Sequence, residues 1–155
     1  MKTLYFDIDG TILRDSTPKP ALADGVFEKF VRKAGFEQLV CVSNVITIIQ
    51  FREQLGHELD PLKIILGVCR GTFQDEAWFR KVTTLASDPE HRARHIDLAS
   101  DWWYLDDMAL WYLEQDGLSE VCEKFSGTRV FAPNENGSGA NVLTWLQQIV
   151  NGSRL

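Results

Sequence analysis

Leu4-Tyr5-Phe6-Asp7-Ile8-Asp9-Gly10-Thr11 begins with three consecutive apolar residues, follows them with two carboxylates one residue apart, and closes on a Gly-Thr pair. An apolar run this short suits a strand buried on both faces, the strand type of a parallel sheet. Gly10 supplies a turn directly after it. In open α/β sheets ligands bind outside the carboxyl ends of the strands, so these acids stand where a site belongs.

Four further runs have the same character: Leu39-Val40-Cys41-Val42, Ile64-Ile65-Leu66-Gly67-Val68, Trp102-Trp103-Tyr104-Leu105 and Arg129-Val130-Phe131. Helical patterns separate them. One starts near Pro20, places Leu22, Val26, Phe27, Phe30, Val31 and Ala34 on one stripe and stops at Gly35. A second follows Asn44, carries Val45, Ile48, Ile49 and Phe51 inward and ends at Gly56. Asp75 to Ala86 predicts a helix with Ala77, Trp78, Val82 and Leu85 inward, Asp88-Pro89 is a cap followed by a first-turn proline, and Ala140 to Val150 predicts the last helix. Alternating strand and helix imply an α/β fold, a Rossmann-like three-layer sandwich with a five-stranded parallel sheet and helices on both faces. All 155 residues are expected to form one domain.

Composition limits the partners. The net charge of -6 disfavours a protein whose main task is holding a nucleic-acid backbone, which needs a basic face. Cys41, Cys69 and Cys122 are too few and too scattered for a secreted disulfide framework, so a reducing compartment is expected. Acids arrive before any signal-type apolar stretch, and no run approaches membrane-spanning length. These features predict a cytoplasmic protein with no membrane partner.

Polar clusters follow three of the apolar runs: Asp7 and Asp9 after the first, Ser43-Asn44 after the second, Asp106-Asp107 after the fourth. They meet at one crevice if the first strand lies between the other two. Carboxylates gathered there repel one another by about 4 kcal/mol per pair at about 4 Å and an effective dielectric near 20. A cation must sit among them. Carboxylate oxygen is a hard ligand and no Cys or His flanks these motifs, which favours Mg²⁺ over Zn²⁺. A divalent ion would also screen a phosphate dianion from a carboxylate nucleophile, which points to phosphoryl chemistry.

Asp7-Ile8-Asp9-Gly10-Thr11 resembles the first motif of the haloacid dehalogenase-like superfamily, most of whose members are Mg²⁺-dependent phosphatases. The resemblance extends through Ser43 as second motif and Asp106-Asp107 as fourth. It implies that Asp7 attacks phosphorus to form an aspartyl-phosphate and that Asp9 protonates the leaving oxygen and later activates water. It further implies substrate binding by Ser43, Asn44 and the backbone at Gly10 and Thr11. Metal binding would fall to Asp7, Asp9 through its backbone carbonyl, Asp106 and Asp107. Leu105 precedes Asp106 where related sequences carry Gly-Asp, so either acid of the doublet could bond the metal directly. The third motif is a basic residue, assigned to Lys81 because it lies on a predicted helix between the second and fourth motifs; Lys63, Arg92 and Arg94 compete. Little chain beyond a helix and a strand separates Thr11 from Ser43, which implies a small, nearly capless enzyme with an open crevice. A phosphorylated small molecule is the leading substrate class and a polynucleotide end the second. The competing class is a non-catalytic or receiver-like regulatory protein that binds phosphate and Mg²⁺. A receiver, however, places its acid pair near the first strand and its phospho-acceptor later.

The remaining features have plainer readings. His91 and His95 are spaced as two metal ligands, yet the interleaved Arg92 and Arg94 favour an exposed basic helix face. Trp102, Trp103, Trp111 and Tyr112 could form a stacking platform for a base or sugar; core packing is the commoner use. The loop from Pro133 to Gly139 reads as a strand-to-helix turn.

Overall fold

In the computed structural model, residues 1–133 and 140–152 are described. The loop expected at 133–139 falls, from residue 134 onward, outside them. Five parallel strands form one sheet in the spatial order β5-β4-β1-β6-β7, with β1 at Lys2–Phe6, β4 at Gln38–Cys41, β5 at Thr83–Leu85, β6 at Asp101–Leu105 and β7 at Val130–Phe131. The first strand is therefore central and lies between the strands that lead into Ser43-Asn44 and Asp106-Asp107, as convergence of the three polar clusters requires. Leu4 stands opposite Leu39 and Trp103, and Phe6 opposite Cys41 and Leu105. All of these are buried, each large apolar side chain contributing about 1.5–3 kcal/mol.

Alternation along the strands sends side chains to two faces, and helices cover both. On one face Phe6 packs on Phe73, which also meets Phe27 of α1 (Val26–Lys33) and Phe79 of α4 (Glu76–Val82) at ring separations of 5.5 and 4.8 Å. Trp103 reaches Trp145 of α7 (Ala140–Val150) on the same side. On the other face Trp102 packs edge-on against Phe125 of α6 (Ser119–Phe125), and Tyr104 points toward a short 3-10 helix at Pro89–His95 and α5 (Ala109–Gln115). Among the described residues no helix is long and apolar enough to cross a membrane.

Several local expectations are corrected. Ile64 to Val68 is not a strand but part of helix α3 (Pro61–Val68). A short apolar run is ambiguous between the two states, and the arbiter is at its start: Asp60 accepts a hydrogen bond from the Lys63 N–H, and Pro61 occupies the first turn. The helix expected to reach Ala86 stops at Val82, and Thr83-Thr84-Leu85 becomes edge strand β5 instead, in keeping with its β-branched residues. Within α4 the buried residue is Phe79, not Ala77. Helix α2 (Val45–Gln54) buries Ile46 and Ile49 but leaves Ile48 and Phe51 60% and 59% exposed, contrary to the inward stripe expected. The segment after Thr11 holds a small antiparallel hairpin, β2 (Leu13–Arg14) with β3 (Thr17–Pro18), before a 3-10 turn at Pro20–Leu22 leads into α1.

Candidate active site

The site begins where β1 and β6 run out of partners. Asp7 N–H still donates to Leu105 O at 2.9 Å, and Asp106 N–H donates to Phe131 O at 3.1 Å, so each acid is the first residue past its strand and is held by the neighbouring one. Beyond Asp7 the chain turns sharply: Ile8 O accepts from the N–H groups of Thr11, Ile12 and Leu13. Gly10 sits at φ +74°, and a Cβ there would run into the Asp107 carboxylate. Only glycine fits this close approach. The Lys19 ammonium, buried beneath the hairpin, donates to Gly10 O at 3.1 Å and steadies the turn.

Thr11 links the opening and late acidic doublets, which lie far apart in sequence. Its buried hydroxyl accepts from Asp107 N–H at 3.0 Å, and its single proton can go to Asp7 Oδ2 at 3.4 Å or Asp107 Oδ1 at 3.3 Å. Ser43 Oγ, also buried, accepts from Val45 N–H at 3.2 Å, and among the described residues no acceptor takes its own proton. Asp7, Asp9, Ser43, Asn44, Asp106 and Asp107 thus reach the wall of one cavity of about 190 Å³. Gly10 and Thr11 form the turn behind it. Ligand oxygens of Asp7, Asp106 and Asp107 lie within 4.8 Å of one another; the Asp9 carboxylate is outside that group.

Arg92, not Lys81, is the cation in contact with these acids. Its side chain is 2% exposed; Nη1 lies 3.2 Å from Asp7 Oδ1 and 3.0 Å from Asp106 Oδ2, and Nη2 donates to Asn44 Oδ1 at 2.7 Å. Nε donates to Pro89 O, and the Tyr112 ring lies 4.0 Å from the guanidinium carbon. Lys81 is exposed at the end of α4, just before β5 begins. In a parallel sheet the start of a strand lies at the edge opposite the carboxyl ends, so Lys81 is placed at the far edge from the acids. The unrecognised strand hid this: with Thr83 to Leu85 read as helix, Lys81 sat between motifs with no direction attached. The signal for Arg92 was its place on the element immediately preceding β6, the strand that carries Asp106.

Burial dominates the electrostatics. Desolvation, followed by the charge of Asp106, pushes the Asp7 carboxyl well above the usual carboxylate range despite Arg92. Desolvation likewise raises Asp106, although Arg92, the Met108 N–H and the Tyr104 hydroxyl all favour its charged form. Asp9 is exposed at the rim, and the desolvation it does suffer, with Asp107 nearby, raises it too. Burial works against the Arg92 charge, but Asp106 and Asp7 outweigh it and hold the guanidinium above its ordinary value. Three carboxylates against one contacting guanidinium, with the Lys19 ammonium attracted to Asp107 from behind the Gly10 turn, leave the cluster short of positive charge. Its donor set is hard oxygen, which fits Mg²⁺ and not a thiophilic metal.

Fold and site together define an α/β protein with an acidic cavity, able to hold a divalent cation, at the carboxyl edge of a parallel sheet. Compared with family models, with curated proteins and with solved structures, the chain matches none. What the site can do follows from its own donors, acceptors and charges.

Proposed function

We propose that the chain is a Mg²⁺-dependent phosphomonoester hydrolase of the haloacid dehalogenase-like type, acting on phosphorylated small molecules in the cytoplasm, where the free thiols of Cys41, Cys69 and Cys122 stay reduced. The observation that carries this reading is the setting of Asp7. Its carboxylate is in contact with Arg92 on one oxygen and lies within a metal's span of Asp106 and Asp107.

Asp7, Asp106, Asp107 and the Asp9 backbone carbonyl would hold Mg²⁺. Asp106 already accepts from Met108, Arg92 and Tyr104, which leaves Asp107 the freer carboxylate of the doublet. Bound there, Mg²⁺ would supply the positive charge that lets carboxylates and phosphoryl oxygens share the cavity. An Asp7 oxygen attacks phosphorus, forming an O–P bond as the bond to the ester oxygen breaks, and Asp9 gives its carboxyl proton to the departing alcohol. Asp9, now a carboxylate, takes a proton from water. The water oxygen attacks phosphorus, the Asp7 bond breaks, and inorganic phosphate leaves with Asp7 restored. Ser43 donates its proton to a phosphoryl oxygen throughout, and Arg92 holds Asp7 in line.

A panel of phosphate monoesters assayed with Mg²⁺ and with EDTA tests the reading. Turnover should vanish on chelation, return with Mg²⁺, and fall by about a thousandfold or more in Asp7→Asn. Chelator-insensitive turnover, or an active Asp7→Asn, would reject it, and Mg²⁺ or phosphate binding without turnover of any ester would support the regulatory alternative.

A further inference from the structure

A second cavity of about 500 Å³ adjoins the catalytic one across Asn44 and Tyr112, which line both. That volume is in the range that holds small organic ligands. Its remaining wall comes from Thr47 and Ile48 of α2, Glu90 and His91 of the 3-10 helix, and Trp111 and Gln115 of α5. Of the aromatic residues grouped around β6 and α5, Trp102, Trp103 and Tyr112 are absorbed by the protein interior. Trp111 is not: 51% of it is exposed. Its ring meets Tyr112 edge-on at 4.9 Å, and Tyr112 is in turn stacked on Arg92, so Trp111 is braced against the catalytic cluster while presenting apolar surface to the cavity.

The charges of this wall are selective. Among the described residues no Lys or Arg lines it, and the one acid that does is Glu90. A second phosphate on the substrate, or a flanking phosphodiester, would meet that carboxylate and no cation. Polar N–H groups of an uncharged ring would find acceptors in Glu90 and in the Gln115 amide oxygen. The Nδ1 of His91 already faces Asp88 Oδ2 at 2.9 Å, leaving Nε2 for another partner.

We propose that this cavity receives an uncharged heteroaromatic group borne by the leaving alcohol, with Trp111 as its stacking surface, so that the substrates are nucleoside monophosphates. Sugar bisphosphates and phosphorylated polynucleotide ends carry further anionic charge that this wall does not accommodate. The assignment rests on the phosphomonoesterase reading for its catalytic half.

Two measurements on the full chain with Mg²⁺ separate the halves: hydrolysis by the wild type, and calorimetric binding to Asp9→Asn, which should bind without completing turnover. The probes are adenosine, guanosine, cytidine and uridine 5′-monophosphate, with ribose 5-phosphate as the ester lacking a base. At least one nucleotide should exceed ribose 5-phosphate about tenfold in kcat/KM and in affinity, and Trp111→Ala should bring that ratio close to one, chiefly through KM. Trp111→Phe, which keeps a stacking ring, should retain most of the ratio. No nucleotide preference, or a preference that survives Trp111→Ala, overturns the proposal while leaving the hydrolase reading intact. Selective, Trp111-dependent nucleotide binding with no hydrolysis of any probe by the wild type would uphold the pocket and sink the hydrolase; neither binding nor hydrolysis sinks both.

Discussion

Two arginine–carboxylate networks in this protein share their local geometry and differ in nearly everything that follows from it. Arg80 grips Asp60 at 2.6 Å and Glu76 at 3.0 Å on the surface, with Lys63 joining Glu76 at 2.8 Å. Arg92 contacts Asp106 at 3.0 Å and Asp7 at 3.2 Å in the interior. On the surface water solvates both partners, so the hydrogen bond from Arg80 to Asp60 and that from Lys63 to Glu76 lower those acids' pKa values. In the interior the same contact is overridden by desolvation, and Asp7 and Asp106 rise. An ion pair at hydrogen-bond distance thus holds its carboxylates firmly ionised in one place and leaves them short of positive charge in the other. The lesson is that burial, more than pairing, decides how readily a carboxylate carries its charge.

The largest expected effect comes from breaking the interior network. Arg92→Ala leaves two buried carboxylates without their guanidinium and should cost about 3–5 kcal/mol, read as a fall in thermal midpoint of about 10 °C, together with loss of ester turnover. Lys81→Ala, on the exposed end of α4, should change neither. If the two variants behave alike, the assignment of the catalytic cation is wrong.

An intermediate effect is expected at the link between the acidic doublets. Thr11→Val keeps the shape of the buried side chain but removes the acceptor for Asp107 N–H and the proton shared by Asp7 and Asp107. The cost should be about 1–3 kcal/mol by denaturant unfolding, with weaker Mg²⁺ binding by calorimetry. Unchanged Mg²⁺ affinity would mean that the late doublet is positioned by its own backbone alone.

The smallest effect belongs to the surface network. Asp60 and Glu76 have folded pKa values below their unfolded ones, so their stabilisation is complete above about pH 5 and is lost as pH falls through the depressed folded values. Arg80→Ala should therefore lower the thermal midpoint slightly at pH 7, less at high salt, and not at all near about pH 2. A difference that persists in acid would show that Arg80 acts through packing of its stem and not through these ion pairs.

How legible each part was depends on the range of the interaction that decides it. The first strand, the Gly10 turn and the acids after β1 and β6 could be read directly, because apolar runs, turn residues and charge are local signals. Edge strand β5 was not legible: Val82-Thr83-Thr84-Leu85 continues a helical pattern, and only pairing of Leu39 to Cys41 with Thr83 to Leu85 makes it extended. The run at Ile64 failed the opposite way, since periodicity does not separate a buried strand from a buried helical turn; the Asp60-Pro61 start is the local feature that distinguishes them. Ser43 could be read by its place after a strand. Arg92 stood only among the competitors, because a basic residue flanked by two histidines and another arginine looks solvated until the 3-10 helix turns it under Tyr112.

By itself, then, the amino-acid order determined the α/β class and an apolar first strand tipped with acids, and it named Asp7, Asp9, Asp106 and Asp107 as candidate ligands; that this strand is central was decided by the sheet order. The first three rest on hydrophobic periodicity and on chemistry each residue carries wherever it goes. Tertiary structure alone decided which cation meets those acids, which acid of the doublet is the less engaged, and that Trp111 stands open beside them while its aromatic neighbours are buried. Those outcomes depend on direction and desolvation, which exist only once distant segments are packed against one another.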